Sequence, residues 1–272
     1  MNASRAVRPG VAAAAALLLA ACAPGRPVLP TGPGAPFAGV EEAFRQATAA
    51  CRGVRTWTAE VALSGRSGDI KLRGRLIAAL APGSLFLEAV APFGRPIFTL
   101  VARGGEATLL LPRDRRVLRG AAPADVVEAL TGVAVGPDEL RALVSGCLAP
   151  SDPPPDGRAY PGGWVAVDLA DGAVAFLKAD RGRWRIEAGL VSGLSVEYRE
   201  FQRDLPRRLR LRSEPGRSPR VDLTLGLSQV DVNVGVPDEA FVLEATGDLA
   251  PMTLEELRAA GPLGERRPGR PW

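Results

Sequence analysis

Residues 56–91 read TWTAEVALSGRSGDIKLRGRLIAALAPGSLFLEAVA. Trp57, Ala59, Val61 and Leu63 alternate with Thr56, Thr58 and Glu60. Ile70, Leu72, Leu76 and Leu80 share one side of a segment whose other side carries Lys71, Arg73 and Arg75. A period of two puts successive side chains on opposite faces of a pleated strand, so both segments predict strands with one apolar and one wet face. Gly65 and Gly68 mark a hairpin between them, and residues 84–91 continue as a third strand.

Outward from this stretch, residues 96–103, 107–111 and 115–118 read as further strands. Their connectors, Pro92-Phe93-Gly94, Gly104-Gly105 and Pro112-Arg113-Asp114, are too short for a parallel crossover and fit an antiparallel meander. Upstream, Val40, Ala43, Phe44, Ala47 and Cys51 recur at helical spacing over 40–52, closed by Gly53. Downstream, two short helices are predicted, 123–130 ending at Gly132 and 137–145 ending at Gly146. A polar, Pro-rich segment, 151–163, reads as a surface loop. A second strand set follows at 164–169, 173–179, 184–188, 194–201, 207–212, 221–234 and 241–243. Thr253-Leu254-Glu255-Glu256 is a capping box for a short helix, and 264–272 reads as disordered. The expected architecture is mainly β (α+β), with about eleven antiparallel strands, one N-terminal helix and two mid-chain helices.

Composition narrows the functional classes. The 272 residues are 46% hydrophobic and 24% charged with a mean hydropathy of +0.06, which suits one or two globular domains and argues against a disordered or multispan chain. There is no histidine, which removes Ser-His-Asp and Cys-His nucleophile systems and HExxH zinc sites. The three cysteines are far apart, with no CxxC pattern, and no phosphate-binding loop is present. The net charge of +4 is small and the arginines are spread along a chain with 5% aromatics, so no nucleic-acid stripe is read. No cofactor or metal is expected.

The N-terminus reads as an address. Arg5 and Arg8 precede an uncharged apolar run, 11–21, too short to span a bilayer comfortably and suited to a signal-peptide core. The run ends Leu19-Ala20-Ala21-Cys22, which resembles the bacterial lipobox. That resemblance implies removal of 1–21 and lipidation of Cys22 (a diacylglycerol and an N-acyl chain such as palmitate). An ordinary secretory signal cut near Ala20 is the alternative. Ala23, in place of Asp, points to the outer membrane, periplasmic side. Residues 22–39, rich in Pro and Gly, read as a tether reaching roughly 50 Å at ~3.1 Å per residue. The expected domain is 40–245, followed by a short helix and tail over 246–272.

The order helix, strand meander, two helices, strands resembles the LolA/LolB/LppX-like periplasmic lipoprotein-carrier fold, closest to the outer-membrane receptor LolB. The resemblance rests on Leu87-Glu88-Ala89-Val90-Ala91-Pro92-Phe93-Gly94, which is similar to the receptor's strand and protruding loop. It rests also on Leu130-Thr131-Gly132 with Asp138-Glu139-Leu140-Arg141 through Gly146, and on Leu205-Pro206-Arg207-Arg208-Leu209 and Val230-Asp231-Val232-Asn233. It implies an open half-barrel with an apolar concave face lidded by helices, and no catalytic residue. Trp57, Val61, Leu63, Leu72, Leu76 and Leu87 would contribute to an acyl-binding face. Phe93, held outward by Pro92 and Gly94, would enter the membrane. Cys51 and Cys147 would form a disulfide, since the elements carrying them neighbour each other in that fold. The implied partners of this monomer are membrane lipid, lipidated cargo proteins and a soluble periplasmic carrier.

The energetics suit direct transfer. A triacylated cargo has on the order of 45 methylenes, and exposing them to water costs roughly 36 kcal/mol at ~0.8 kcal/mol each. The alternatives are a carrier of another lipid (glycolipid or phospholipid), a structural envelope lipoprotein, or an enzyme using carboxylates. Two arginine clusters, Arg113 to Arg119 and Arg203 to Arg212, read first as solvated strand faces and second as contacts for anionic lipid or an acidic carrier.

Overall fold

The alternation over 56–91 becomes three long, adjoining strands in the computed structural model, which describes residues 28–91, 96–148, 156–169, 172–244 and 247–264. The chain divides into two units, Met1–Pro30 and Thr31–Trp272. The first is described only over 28–30, without regular structure; every helix and strand named below belongs to the second.

In chain order the elements are β1 (Ala35–Pro36), α1 (Val40–Arg52), β2 (Trp57–Ser67), β3 (Ile70–Ala81), β4 (Ser84–Val90), β5 (Pro96–Arg103), β6 (Glu106–Leu111) and β7 (Arg116–Ala121). There follow α2 (Pro123–Thr131), α3 (Pro137–Ser145), β8 (Gly157–Tyr160), β9 (Trp164–Asp168), β10 (Val174–Asp180), β11 (Arg183–Val191) and β12 (Leu194–Arg199). The chain continues with β13 (Arg208–Ser213), β14 (Val221–Val232), a 3-10 turn (Asp238–Phe241), β15 (Ala250–Pro251) and α4 (Leu254–Ala260).

All fifteen strands described belong to one sheet, in the order β1-β8-β9-β10-β11-β12-β13-β14-β2-β3-β4-β5-β6-β7-β15. It comprises two meanders, β2 to β7 and β8 to β14, joined where β14 pairs with β2. Every junction is antiparallel except β7–β15. A sheet this wide cannot stay flat, because each strand pair adds right-handed twist, and it curls into an open half-barrel. Its edges are β1 and β15.

Register fixes which face is apolar. Trp57 pairs with Leu80, Val61 with Leu76, and Leu76 with Ala89, so the alternating apolar sets of β2, β3 and β4 lie on one side. Leu209 and Leu211 of β13 pair with Leu225 and Leu223 of β14 and extend that surface. The concave core is closed by α1 against β9, β10 and β11, and by α2 and α3 over the middle of the sheet. In α1 the buried residues Val40, Ala43, Phe44 and Cys51 sit at the predicted spacing, with Glu41 and Glu42 in the first turn and Arg52 in the last, complementing the helix dipole. Pro at the first position and a left-handed Gly at the end bound both α2 and α3, as predicted (Gly132, φ 81°; Gly146, φ 89°). Gly132 has a second reason to lack a side chain: a Cβ there would collide with Ser67 at the β2–β3 turn.

Several expectations are corrected. The strand count is fifteen among the described residues instead of about eleven. Residues 157–160 form β8 within a segment read as a loop, because its short run of backbone pairs with β9 needs no apolar alternation. Ala35 and Pro36, within the stretch read as a tether, pair with Ala159 and Arg158. No strand forms at 241–243: buried Phe241 ends a 3-10 turn, Asp238–Phe241, whose Asp238 meets Arg103 at 2.7 Å, and residues 242–243 have no regular structure. Ile70, expected on the apolar face, is 50% exposed, because β3 runs out past the core toward its hairpin. Gly264, read as disordered, bridges Leu72, and the Arg73 amide donates to the Leu263 carbonyl at 3.0 Å. That C-terminal segment occupies the edge of β3 left unpaired beyond the end of β4. Residues 265–272 lie outside the described residues.

One strand irregularity makes a testable statement. The β10–β11 register slips between Phe176, opposite Ala188, and Leu177, opposite Ile186, leaving Glu187 as the extra residue of a bulge. Burial pushes its carboxyl above the ordinary 4.5, with Arg185 partly opposing the shift. A carboxyl whose folded pKa is raised favours the fold fully below its unfolded value, and that contribution is lost as pH rises through the folded value. Glu187→Gln is therefore expected to raise Tm by about 1–3 °C at pH 7 and to leave it unchanged at pH 4. Thermal melts at the two pH values check this; equal shifts at both would mean that the carboxyl is not the cause.

Candidate functional site

The concave face and its helical cover enclose an apolar cavity of about 80 Å3. Trp57, Val61 and Leu63 of β2, Leu76 and Leu80 of β3 and Leu87 of β4 form one wall. Leu209, Leu211 and Leu223 form the wall from the other meander, and Val127 of α2 with Leu140, Leu143 and Val144 of α3 form the roof. The hydroxyl of Thr131, also on the lining, is committed to the Val127 carbonyl at 2.8 Å. Trp57 is 1% exposed and its indole Nε1 has no hydrogen-bond partner. The cavity is about half the size of the engineered 150 Å3 void that admits benzene, so an extended acyl chain needs the roof to lift.

Five of the six residues expected on the acyl-binding face line this cavity: Trp57, Val61, Leu63, Leu76 and Leu87. Leu72 does not. It is buried farther along β3, where Gly264 bridges its backbone. Cys22 and the loop residues Pro92, Phe93 and Gly94 lie outside the described residues.

α3 is held at its two ends in different ways. At its start, both carboxylate oxygens of Asp138 accept from the Gly83 amide at 3.2 Å, and the Arg141 guanidinium bonds Asp138 at 2.7 Å. Arg141 also donates to the carbonyls of Val54 and Arg55, at 3.1 and 2.9 Å. Just past its end, Cys147 is disulfide-bonded to Cys51 of α1, with Cα atoms 5.6 Å apart, as the resemblance implied. The Arg141–Asp138 latch had no signal in the sequence, since its partners are backbone groups of distant turns.

Two open clefts flank that disulfide. One, of about 740 Å3, lies between the end of α1, the linker 53–55, Pro82 and α3. The other, of about 390 Å3, lies between α1, the β10–β11 hairpin and Phe201 to Asp204. In the second, Arg185 sits over the Phe201 ring (5.3 Å to its centre) and pairs with Asp204 at 2.9 Å.

The arginine clusters are largely engaged in internal pairs. Arg116 meets Glu256 at 2.7 Å, and Arg115 donates to the Asp248 carbonyl. Arg208 pairs with Glu200, Arg210 with Asp222, and Arg212 with the buried Glu197. That favours the first reading of these clusters, as strand faces neutralised in place. Among the described residues no group of Cys, Asp or Glu could hold a metal ion, and no helix is long and apolar enough to cross a membrane.

No protein-family model matches the chain, and no curated protein matches it. Among solved structures the chain is similar to a LolA superfamily protein from Nitrosomonas europaea, with 12% identity, 75% of this chain and 97% of that one covered, and a TM-score of 0.45. It is similar also to a DUF1329 family protein from Desulfovibrio piger (11% identity, 76% and 98% covered, TM-score 0.49). A third likeness is to the Mycobacterium tuberculosis lipoprotein LppX (10% identity, 73% and 98% covered, TM-score 0.32). At 10–12% identity and with TM-scores below 0.5, these are likenesses of overall fold alone. The narrower likeness to the outer-membrane receptor gains nothing from them.

Proposed function

We propose that this chain is a lipid-anchored envelope protein that takes acyl chains between its concave sheet and helices α2 and α3, and delivers lipidated cargo into the outer membrane. The observation that carries this reading is the cavity: a roofed, wholly apolar space on the concave face of an open sheet. A packed structural domain has no need of a roof fastened by surface polar bonds. Here α3 is fastened at its start by Asp138 and Arg141, at a solvent-facing latch. Asp138 is half exposed, so water can take over its bonds as that end lifts, whereas the mostly buried Arg141 must also give up the Val54 and Arg55 carbonyls, a cost the entering chains have to offset. The Cys51–Cys147 bond at the other end makes α3 pivot instead of detaching. Acyl methylenes entering under it replace water contact with apolar walls at ~0.8 kcal/mol each.

In this reading Cys22 carries the anchor, and Phe93, between β4 and β5, inserts into the membrane at the moment of release. The test uses liposomes, a lipidated cargo protein and a fluorescent fatty-acyl probe. Phe93→Glu is expected to slow cargo insertion roughly tenfold or more, the equivalent of losing the burial of one Phe side chain. Probe binding in the cavity stays unchanged. Unimpaired insertion by Phe93→Glu would remove the loop from the mechanism. A wild-type protein that binds no probe would remove the carrier reading itself.

A further inference from the structure

The N-terminal segment joins the fold at one corner of the sheet. Ala35 and Pro36 pair with β8, and the Tyr160 hydroxyl donates to the Gly32 carbonyl at 2.9 Å. Gly34 (φ 66°) passes so close over the Tyr160 ring that a Cβ there would stand 2.8 Å from it. The chain is thus fixed to the domain from Gly32 onward, ten residues after Cys22. Ten residues of chain reach at most roughly 35 Å. A domain the length of Thr31–Trp272 has a radius of gyration of roughly 18 Å, hence a diameter of roughly 45 Å. A leash shorter than the domain is wide favours the end of the domain at which it enters.

That end of the sheet has the chemistry of a membrane interface. Tyr160 pairs with Trp164, Trp164 with Lys178 and Lys178 with Arg185, in one row across β8 to β11. Val165, Leu177 and Ile186, their neighbours along the strands, belong to the core, so the row lies on the opposite face of the sheet. Tyr160 and Trp164 are half-buried, and the exposed Lys178 holds its ammonium over the Trp164 ring, 5.0 Å from its centre. Beyond the row, Pro161, Gly162 and Gly163 of one turn and Arg181 and Gly182 of the next are exposed. Asp180 is engaged with Arg185 at 3.3 Å, and Arg183 with Asp204 at 2.7 Å. Tyr and Trp rings suit the boundary between acyl chains and headgroups, and long cationic side chains beside them reach lipid phosphates.

We propose that, given the anchor at Cys22 proposed above, this rim of Tyr160, Trp164, Lys178 and Arg181 rests against the phospholipid headgroup layer and orients the domain. Every junction from β8 to β4 is antiparallel, so β4 runs away from the rim and ends, at Val90, at the far end of the sheet. The docked pose is therefore a resting one. Delivery through Phe93, which follows β4, requires the rim to let go and the domain to roll.

The test uses the full chain purified from the membranes of its producing host, with its mass read for lipid on Cys22. It is placed in vesicles of phosphatidylethanolamine and phosphatidylglycerol that contain a phospholipid brominated near its headgroup, which quenches tryptophan emission on contact. A Trp272→Phe background removes the signal of the C-terminal tryptophan. In that background the brominated lipid is expected to quench the emission, and Trp164→Phe is expected to remove most of the quenching. Lys178→Glu/Arg181→Glu, two exposed substitutions, is expected to reduce it roughly twofold or more, with cargo insertion unimpaired. Quenching that neither change lowers, or that is absent from the lipidated chain, overturns the rim contact and leaves the anchor standing. An unlipidated chain still quenched through Trp164 keeps the rim and removes the anchor. An unlipidated chain without quenching overturns both.

Discussion

Removing the Cys51–Cys147 disulfide is expected to cost about 4–5 kcal/mol of folding stability, by the loop-closure entropy of a bond spanning 96 residues. The loop it closes contains β2 to β7, α2 and α3, so the unfolded chain loses much of its freedom when the bond is present. The sheet itself does not depend on it, because the β-ladders are formed by other residues. Cys51→Ser/Cys147→Ser should therefore fold to the same secondary structure and unfold at a much lower urea concentration. Urea titrations of the variant, and of the wild type with and without reductant, measure the difference. A cost below about 1 kcal/mol would mean that the reduced chain already holds α1 against α3 when unfolded. The variant should also load the acyl probe faster, since only the Asp138–Arg141 latch would then fasten α3.

Trp57 carries the second large effect. It is fully enclosed at the meeting point of the two meanders, pairing with Leu80 on β3 and Val232 on β14. Trp57→Ala is expected to destabilise the protein by about 3–5 kcal/mol, from lost burial and the void left in a wall that cannot fully collapse. Trp57→Phe is expected to cost much less, under about 1.5 kcal/mol, because it also removes a buried indole donor without a partner, a defect worth about 1–3 kcal/mol. Comparing the two by urea unfolding separates volume from polarity. If Phe and Ala cost the same, the indole N–H is satisfied in solution. The same Trp57→Ala protein, with its enlarged cavity, should bind the acyl probe more tightly than wild type.

Legibility in the sequence followed local physics. β2 and β3 were readable because alternation repeats for a dozen residues, and α2 and α3 because Pro opens and Gly closes each. β1, β8 and β15 were not, since strands of two to four residues carry no period and exist only through pairing with a neighbour. The 3-10 turn at Phe241 was misread because a short apolar run looks the same in a strand and in a turn that covers one. Most of the cavity was readable, as it is the inner face of those long strands. Leu72 was not separable from its neighbours, because parity tells which face a residue is on and not how far along the groove it sits. The larger cleft beside the disulfide was invisible. Arg52, Arg55, Asp138, Arg141 and Ser145 come from two segments that only the disulfide and the α3 latch bring together.

The sheet's strand order has a consequence for how the chain matures. The strand that completes the centre is β14, and its partners on β2 are distant in sequence: the Gln229 to Glu60 side-chain bond alone spans 169 residues. While the polypeptide emerges from its N-terminus, β2 to β7 can pair in order, each with the strand just made, but β2 keeps an open edge and an uncovered greasy face until nearly the whole domain has appeared. Such non-local closure is slow. The nascent half-sheet is thus a sticky intermediate with a vacant slot for any passing strand, including that of a second copy. For this protein the hazard of folding lies in the wait for one late strand, and a helper that shields β2 during that interval would act on yield without touching the finished fold.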